Sequence, residues 1–174
     1  DGVNGMTITA NGTLYVVGTT ASSTFPWTYG GAQPALRTVR DGFVARLGNL
    51  GEDIRVTYLG GSDDDIAVAV AVGGNGDVYV AGQTRSTDFP STTGGAQPAK
   101  AIDNEFDGFV ARFSNDLGAL VQSTYFGGGR GDFAAGIAVD AGGNVYTAGS
   151  TASANLPGTA GAAQPSHSTQ TDSF

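Results

Sequence analysis

The sequence predicts an all-β chain of consecutive four-stranded antiparallel meanders. The first observation is repetition: the segment GTLYVVGTTASSTFP at residues 12–26 returns with few changes at 76–90 and at 143–157. The period of about 65 residues is too long for a helical repeat unit and suits four strands with one long loop. The second observation is that no stretch shows a sustained 3.6-residue apolar pattern, so we expect little helix.

The composition indicates a protein with a packed core and argues against some classes of binding partner. The 29 glycines stand beside strand patterns, where they are typical of turns, and 40% hydrophobic residues favour a core over disorder. Sixteen acidic against eight basic residues give a net charge of −8, which argues against nucleic acid or an anionic membrane surface as a partner. Cysteine is absent from the sequence, which excludes disulfides and thiolate metal sites.

The first strand of the repeat is clearest at residues 66–72, which read IAVAVAV. The alternation has the period of a strand, and both faces are apolar, so we expect it to lie innermost, between neighbouring repeats. This apolar run is too short to insert into a membrane. An Asn-Gly or Gly-Gly turn then predicts a hairpin into the second strand, which carries Tyr15, Tyr79 or Tyr146 at the same place in each repeat.

A long loop rich in Ser, Thr, Pro and Gly leads to the outer two strands. The third strand is expected at residues 43–47 and 109–113, and the fourth at 55–59 and 120–126. Stacked meanders of this kind build a β-propeller or a β-sandwich. The sandwich is disfavoured because it would not explain why both strands and loops repeat almost unchanged.

The repeat divides the chain into about two and a half propeller blades. Blade 1 is predicted at residues 1–62 and blade 2 at 63–131, and an incomplete blade 3 at 132–174 reaches only the start of its third strand. A ring of seven such blades would need on the order of 450 residues. We therefore expect apolar end faces that are covered by other blades of the same longer chain or by other copies.

Several segments resemble one known family in the same order and spacing. They are GIAVDAGGNVYTAGSTASANLP at residues 136–157, DGFVARL at 41–47 and TYLGG at 57–61, and they resemble the bacterial SBBP β-propeller repeat. The resemblance implies a propeller within a large exported or cell-surface bacterial protein, and it implies no shared catalytic residues.

The function expected from this resemblance is a noncatalytic extracellular or cell-surface module that serves in adhesion, in binding or as a spacer. One alternative is a structural subunit of a larger ring, array or filament. Another is part of a lyase-like propeller enzyme whose active site lies elsewhere in the full chain. Within this chain we expect no enzyme, because the only histidine is His167 and no acid–base pair recurs with the repeat.

Candidate binding residues come from one face of the blades. In a meander the long loop after the second strand and the short loop before the first strand lie on the same face. The residues of these loops that could contact a glycan or a surface protein are Trp27, Phe25, Phe89, Asp63, Asp64 and Asp65. Trp27 is the strongest candidate, because Ser91 and Gly158 replace it in the other repeats. The alternative is that the repeated Phe-Pro and Ala-Gln-Pro segments only pack the loops onto the blades.

No cofactor is expected apart from a weak candidate for Ca²⁺. Asp103, Glu105 and Asp107 resemble the opening of a calcium loop, but Ser114 stands at its twelfth position instead of glutamate. The acids at residues 63–65 could also hold Ca²⁺, although consecutive side chains in an extended segment point in opposite directions. A solvated acidic turn is the alternative there.

Overall fold

The computed structural model describes residues 1–48, 53–101, 104–166 and 171–174, and the regular structure within these ranges is entirely β-strand. No helix that could cross a membrane occurs in the described ranges. Blade 1 comprises β1 (Gly2–Ile8), β2 (Leu14–Thr20), β3 (Asp41–Gly48) and β4 (Asp53–Leu59). Blade 2 comprises β5 (Asp65–Val72), β6 (Val78–Thr84), β7 (Asp107–Phe113) and β8 (Leu120–Phe126). Blade 3 comprises β9 (Asp132–Val139), β10 (Val145–Thr151) and β11 (Asp172–Ser173).

Each sheet is an antiparallel meander whose strand order follows the sequence. Blades 1 and 2 have the orders β1-β2-β3-β4 and β5-β6-β7-β8, and the third sheet has the order β9-β10-β11. The first strand of each sheet packs against the neighbouring blade, with β5 contacting β1 and β2 on one side and β9 on the other. The predicted all-β fold of consecutive propeller blades is confirmed, and the arc of blades is open.

The second strand of every blade has a glycine at the point where a carbonyl oxygen of the first strand and a phenylalanine ring come closest to its backbone. A Cβ placed on Gly82 would lie 2.0 Å from the carbonyl oxygen of Ile66 and 2.8 Å from the ring of Phe109. Gly18 and Gly149 are in the same situation, beneath the rings of Phe43 and Phe174. The phenylalanine of the third strand therefore lies directly on the bare backbone of the second strand, which is a close approach that only glycine permits.

We predict that Gly82→Ala lowers the free energy of unfolding by about 3 kcal/mol, because the added methyl has no space and the sheet must shift. Urea unfolding followed by circular dichroism measures this. Gly74→Ala is the matched control, since a Cβ there meets nothing within 4 Å. Equal stability of the two variants would contradict this packing.

Blades 1 and 2 are joined by the turn between β7 and β8. The Asn115 carbonyl accepts a hydrogen bond from the Tyr15 hydroxyl at 2.7 Å, and the Leu117 carbonyl accepts one from the Ala32 amide at 2.9 Å. The Leu117 side chain is fully buried although its φ of +59° is unusual for a residue other than glycine. The turn of one blade thus fixes the strands and the long loop of the blade before it.

The end faces expose residues whose repeat equivalents are buried. Met6 is 72% exposed, whereas Val70 at the same place in blade 2 is 9% exposed because blade 1 covers it. At the other end Tyr146 is 57% exposed, whereas Tyr15 is 3% exposed beneath blade 2. The face of blade 1 that carries Met6 and the face of blade 3 that carries Tyr146 are therefore exposed. Each is the repeat equivalent of a surface that is buried where two blades pack together.

Candidate binding face on the long loops

The long loops are anchored to their blades by an aromatic cluster. In blade 2 Phe89 is buried, with its ring centroid 4.4 Å from that of Phe109 and 6.2 Å from that of Tyr125. In blade 1 the corresponding centroid of Phe25 lies 5.0 Å from Phe43. The candidate Phe89 thus contacts the core of its own blade, and the half-buried Phe25 does so in part.

In blades 1 and 2 a tyrosine hydroxyl near the end of the fourth strand fixes the start of the long loop. The Tyr125 hydroxyl accepts a hydrogen bond from the Phe89 amide and donates one to the Ser86 carbonyl, both at 2.9 Å. The Tyr58 hydroxyl makes the same two bonds in blade 1, with the amide of Phe25 and the carbonyl of Ser22. These buried bonds hold the loop in one conformation.

The glutamine of the Ala-Gln-Pro segment fixes the far end of the loop. Gln33 Nε2 donates to Asp41 Oδ2 at 2.8 Å, and Gln33 Oε1 accepts from the Gly60 amide at 3.1 Å. Gln97 Oε1 likewise accepts from the Gly127 amide at 3.1 Å. Both ends of the long loop are therefore hydrogen-bonded to strands. Between them, in blade 1, the Trp27 carbonyl accepts a hydrogen bond from the Val56 amide of β4 at 2.9 Å, so the middle of the loop runs along the outer strand.

The short loop before β5 meets the long loop after β6, as expected for a shared face. The Ser62 amide donates to Asp88 Oδ1 at 2.8 Å. Among the acidic candidates, Asp63 is exposed, and Asp64 forms an ion pair with Arg40 at 2.9 Å. Asp65 is fully buried at the start of β5. The three acids therefore do not converge on one point.

Asp65 is part of the framework between blades 1 and 2. Its Oδ2 accepts hydrogen bonds from the Gly61 amide at 2.7 Å and from the Ser86 hydroxyl at 2.9 Å. Burial raises the pKa of the Asp65 carboxyl to about 7, and the negative charge of Asp41 adds to this rise while the hydrogen bonds oppose it. A Cβ placed on Gly60 would lie 2.5 Å from Asp65 Oδ2 and 2.9 Å from Asp41 Oδ1. The two carboxyl groups therefore flank this glycine.

The junction between blades 2 and 3 repeats this arrangement with one addition. Asp132 Oδ2 accepts from the Gly128 amide at 2.7 Å and from the Ser153 hydroxyl at 2.8 Å. Asp107 is also fully buried, and Lys100 Nζ lies 3.9 Å from its Oδ1. Burial raises the pKa of Asp107 to about 6, while the Ala101 amide and the Lys100 charge lower it. Lys100 therefore places a buried cation at this junction, where blade 1 has Leu36.

The calcium candidates are not brought together within the described residues. Asp107 is buried beside Lys100, Glu105 is exposed, and Asp103 lies outside the described residues. In the part of the chain that the structure describes, no group of three or more acids or histidines is arranged to hold a metal ion. His167 also lies outside this part of the chain.

The exposed part of the face in blade 1 is aromatic. Trp27 is 59% exposed and Tyr29 is 97% exposed on the same loop. Trp27 has a φ of +58°, a left-handed conformation that Ser91 and Gly158 also adopt at the same place in blades 2 and 3. Glycine is the residue best suited to this conformation, so blade 1 carries a bulky side chain at a strained position.

Three elements of this face are not evident from the sequence patterns used above. These are the tyrosine hydroxyl bonds, the buried lysine at position 100 and the fully exposed Tyr29. The contact between Ser86 and Asp65 could have been suspected from the sequence. A Thr-x-Ser triplet begins at the last residue of the second strand in all three repeats, at residues 20–22, 84–86 and 151–153.

Comparison with known proteins settles the family of these segments. The family model for the SBBP beta-propeller repeat matches residues 54–90 and 123–157. These two segments are SBBP beta-propeller repeats. Each SBBP match begins in the fourth strand of one blade and ends at the proline of the next long loop, so it spans a blade junction. Comparison with curated proteins gives no match.

Proposed function

We propose that this SBBP-repeat chain is a noncatalytic propeller module of an exported or cell-surface protein, and that its long-loop face binds a glycan. The observation that carries the proposal is the exposed pair Trp27 and Tyr29 on a loop whose two ends are hydrogen-bonded to strands. Exposed aromatic side chains on a rigid loop are typical of binding sites, because they offer a large contact area at a small entropy cost.

The backbone at Trp27 supports a role in binding over a role in stability. Its left-handed conformation costs on the order of 1 kcal/mol for a residue with a Cβ. The side chain does not recover this cost by burial, since 59% of it is exposed. The flat indole face suits the apolar face of a sugar ring, and the neutral stacking surface does not require the basic charge that this acidic chain lacks.

We predict that Trp27→Ser lowers glycan affinity at least about tenfold without loss of stability, because the serine reproduces position 91 of blade 2. A glycan array identifies the ligand, and calorimetry compares the two proteins. Tyr146→Ser is the matched control, since it removes an exposed aromatic from the end face instead. Equal affinity of wild type and Trp27→Ser, or an array without any binding, would contradict the proposal.

A second candidate function is a subunit of a larger ring, array or filament. The specific observation in its favour is the exposure of Val3, Met6 and Ile8 on one end face and of Val145 and Tyr146 on the other. These faces are repeat equivalents of the surfaces that join blades 1 and 2, so a second copy could add head to tail.

A further inference from the structure

A cleft opens between the outer strands of blades 1 and 2. It has a volume of about 320 Å³, which is within the usual range for ligand pockets. Blade 1 contributes Ala32 and Arg37 of its long loop with Tyr58 of β4, and blade 2 contributes Ser91 of its long loop and Leu120 of β8. None of the described residues that line it belongs to blade 3, and each of the two blades has all four strands. The cleft is therefore formed by two complete blades.

Arg37 brings a positive charge to this cleft. Its guanidinium forms no ion pair with any residue that the structure describes. Four other arginines are each paired with an aspartate, namely Arg40, Arg46, Arg55 and Arg112. In a chain with a net charge of −8, a guanidinium that no acid has taken is available to an anionic ligand.

The two aspartates near Arg37 are held by other donors. Asp41 Oδ2 accepts hydrogen bonds from Gln33 Nε2 at 2.8 Å and from the Arg37 backbone amide at 3.0 Å. Asp88 Oδ1 accepts from the amide and from the hydroxyl of Ser62, both at 2.8 Å. Burial opposes the ionisation of Asp88, but its hydrogen bonds with Ser62 and the charge of Arg37 lower its pKa. The side-chain N–H groups of Arg37 are thus available as donors.

A hydroxyl is also available in the cleft. Ser91 Oγ lies 3.5 Å from the Leu120 carbonyl oxygen, at the far limit of a hydrogen bond, so a ligand oxygen can replace this weak contact. Tyr58, by contrast, is engaged, because its hydroxyl donates to the Ser22 carbonyl at 2.6 Å. The cleft therefore offers mainly hydrogen-bond donors, and it suits a ligand whose oxygens accept them.

We propose that the cleft between blades 1 and 2 binds one hexuronic acid, a sugar ring that carries a carboxylate. The carboxylate pairs with the guanidinium of Arg37, which can donate two parallel hydrogen bonds to it. A ring hydroxyl bonds to Ser91 Oγ, and the ring lies against the small side chains of Pro90 and Ala119. The proposal goes beyond the glycan binding proposed for Trp27 and does not depend on it, since Trp27 does not line the cleft.

The repeat supplies the variant that tests this site. Ala101 of blade 2 corresponds to Arg37, because its backbone amide donates to Asp107 Oδ2 at 2.9 Å just as the Arg37 amide donates to Asp41 Oδ2. Arg37→Ala therefore introduces the residue that blade 2 carries at the same place and is compatible with folding.

The test is a titration of the isotope-labelled 174-residue chain with sodium galacturonate, followed by NMR. We expect saturable binding in the millimolar range, with chemical shift changes at the amides of Ser91 and Ala119. Arg37→Ala is expected to bind at least about tenfold more weakly, because the charge-assisted hydrogen bonds are lost. Arg130→Ala is the matched control, since it removes the same charge at an exposed position outside the cleft and should bind like the wild type.

Further comparisons separate the cleft from a general effect of charge. Ala119→Trp keeps Arg37 but is expected to weaken binding about tenfold, because the indole fills the cleft, and position 119 is exposed enough to accept it. Glucose lacks the carboxylate and N-acetylglutamate lacks the ring, so each is expected to bind at least about fivefold more weakly than galacturonate. Absence of saturable binding, equal affinity of the Arg37→Ala and Arg130→Ala variants, unchanged affinity of Ala119→Trp, or equal affinity for either control ligand would overturn the proposal.

Discussion

Replacement of Phe109 by alanine is expected to lower the free energy of unfolding by about 3–5 kcal/mol, the usual range for a fully buried phenylalanine. The ring is 0% exposed and lies on the backbone of Gly82 in the middle of blade 2. It also contacts Phe89, so its removal loosens the anchor of the long loop. Blade 2 has a neighbour on each side, which limits how far the cavity can collapse.

Urea unfolding followed by circular dichroism measures this loss for Phe109→Ala. Tyr29→Ala is the matched control, since that ring is 97% exposed and its removal is expected to change the free energy of unfolding by less than about 0.5 kcal/mol. If Phe109→Ala were as stable as Tyr29→Ala, the third strand would not lie in the core of the blade.

The stability of the protein is expected to fall as the pH rises from 4 to 8. The pKa of Asp65 is about 7 in the folded chain, above its ordinary value of 3.8, so the folded state holds this proton more tightly than the unfolded state. The stabilisation is complete below about pH 4 and is lost as the pH rises through 7. Asp107, with a pKa raised to about 6, acts in the same direction. At about 1.4 kcal/mol per pKa unit, the rise at Asp65 corresponds to a loss of about 4 kcal/mol and the rise at Asp107 to about 3 kcal/mol.

Asp65→Asn tests the origin of this pH dependence. An asparagine oxygen can still accept from the Gly61 amide and the Ser86 hydroxyl, but it carries no charge at any pH. The variant is expected to be more stable than the wild type at pH 8 and to show a smaller loss between pH 4 and pH 8. Asp63→Asn, an exposed acid in the same loop, is the control and should follow the wild type. A steep rise in wild-type stability toward pH 8 would contradict the buried-acid explanation.

The strands and their order could be predicted from the sequence because they depend on local patterns. Residues 66–72 alternate with the period of a strand, and Gly76 stands where the hairpin turn requires a φ of +86°. The repetition added the long-range information, since strands at the same place in each repeat must take the same place in each blade.

The surface of the candidate site was harder to predict, because burial depends on the neighbouring blade. Phe89 and Trp27 belong to similar loop segments, yet Phe89 is 2% exposed and Trp27 is 59% exposed. Lys100 gives no local signal of burial, and its contact with Asp107 follows from the path of the loop. Such contacts join residues that no periodic pattern connects.

The most direct test of the account is sedimentation velocity of the 174-residue chain over a range of concentrations. The open end faces predict association that increases with concentration and that Met6→Asp reduces, because a charge there cannot be buried against another blade. Val121→Asp, on the outer strand of blade 2, is the control and should associate like the wild type. A compact monomer at all concentrations, or equal association of the Met6→Asp and Val121→Asp variants, would contradict the central claim that the blades end in uncovered junction surfaces.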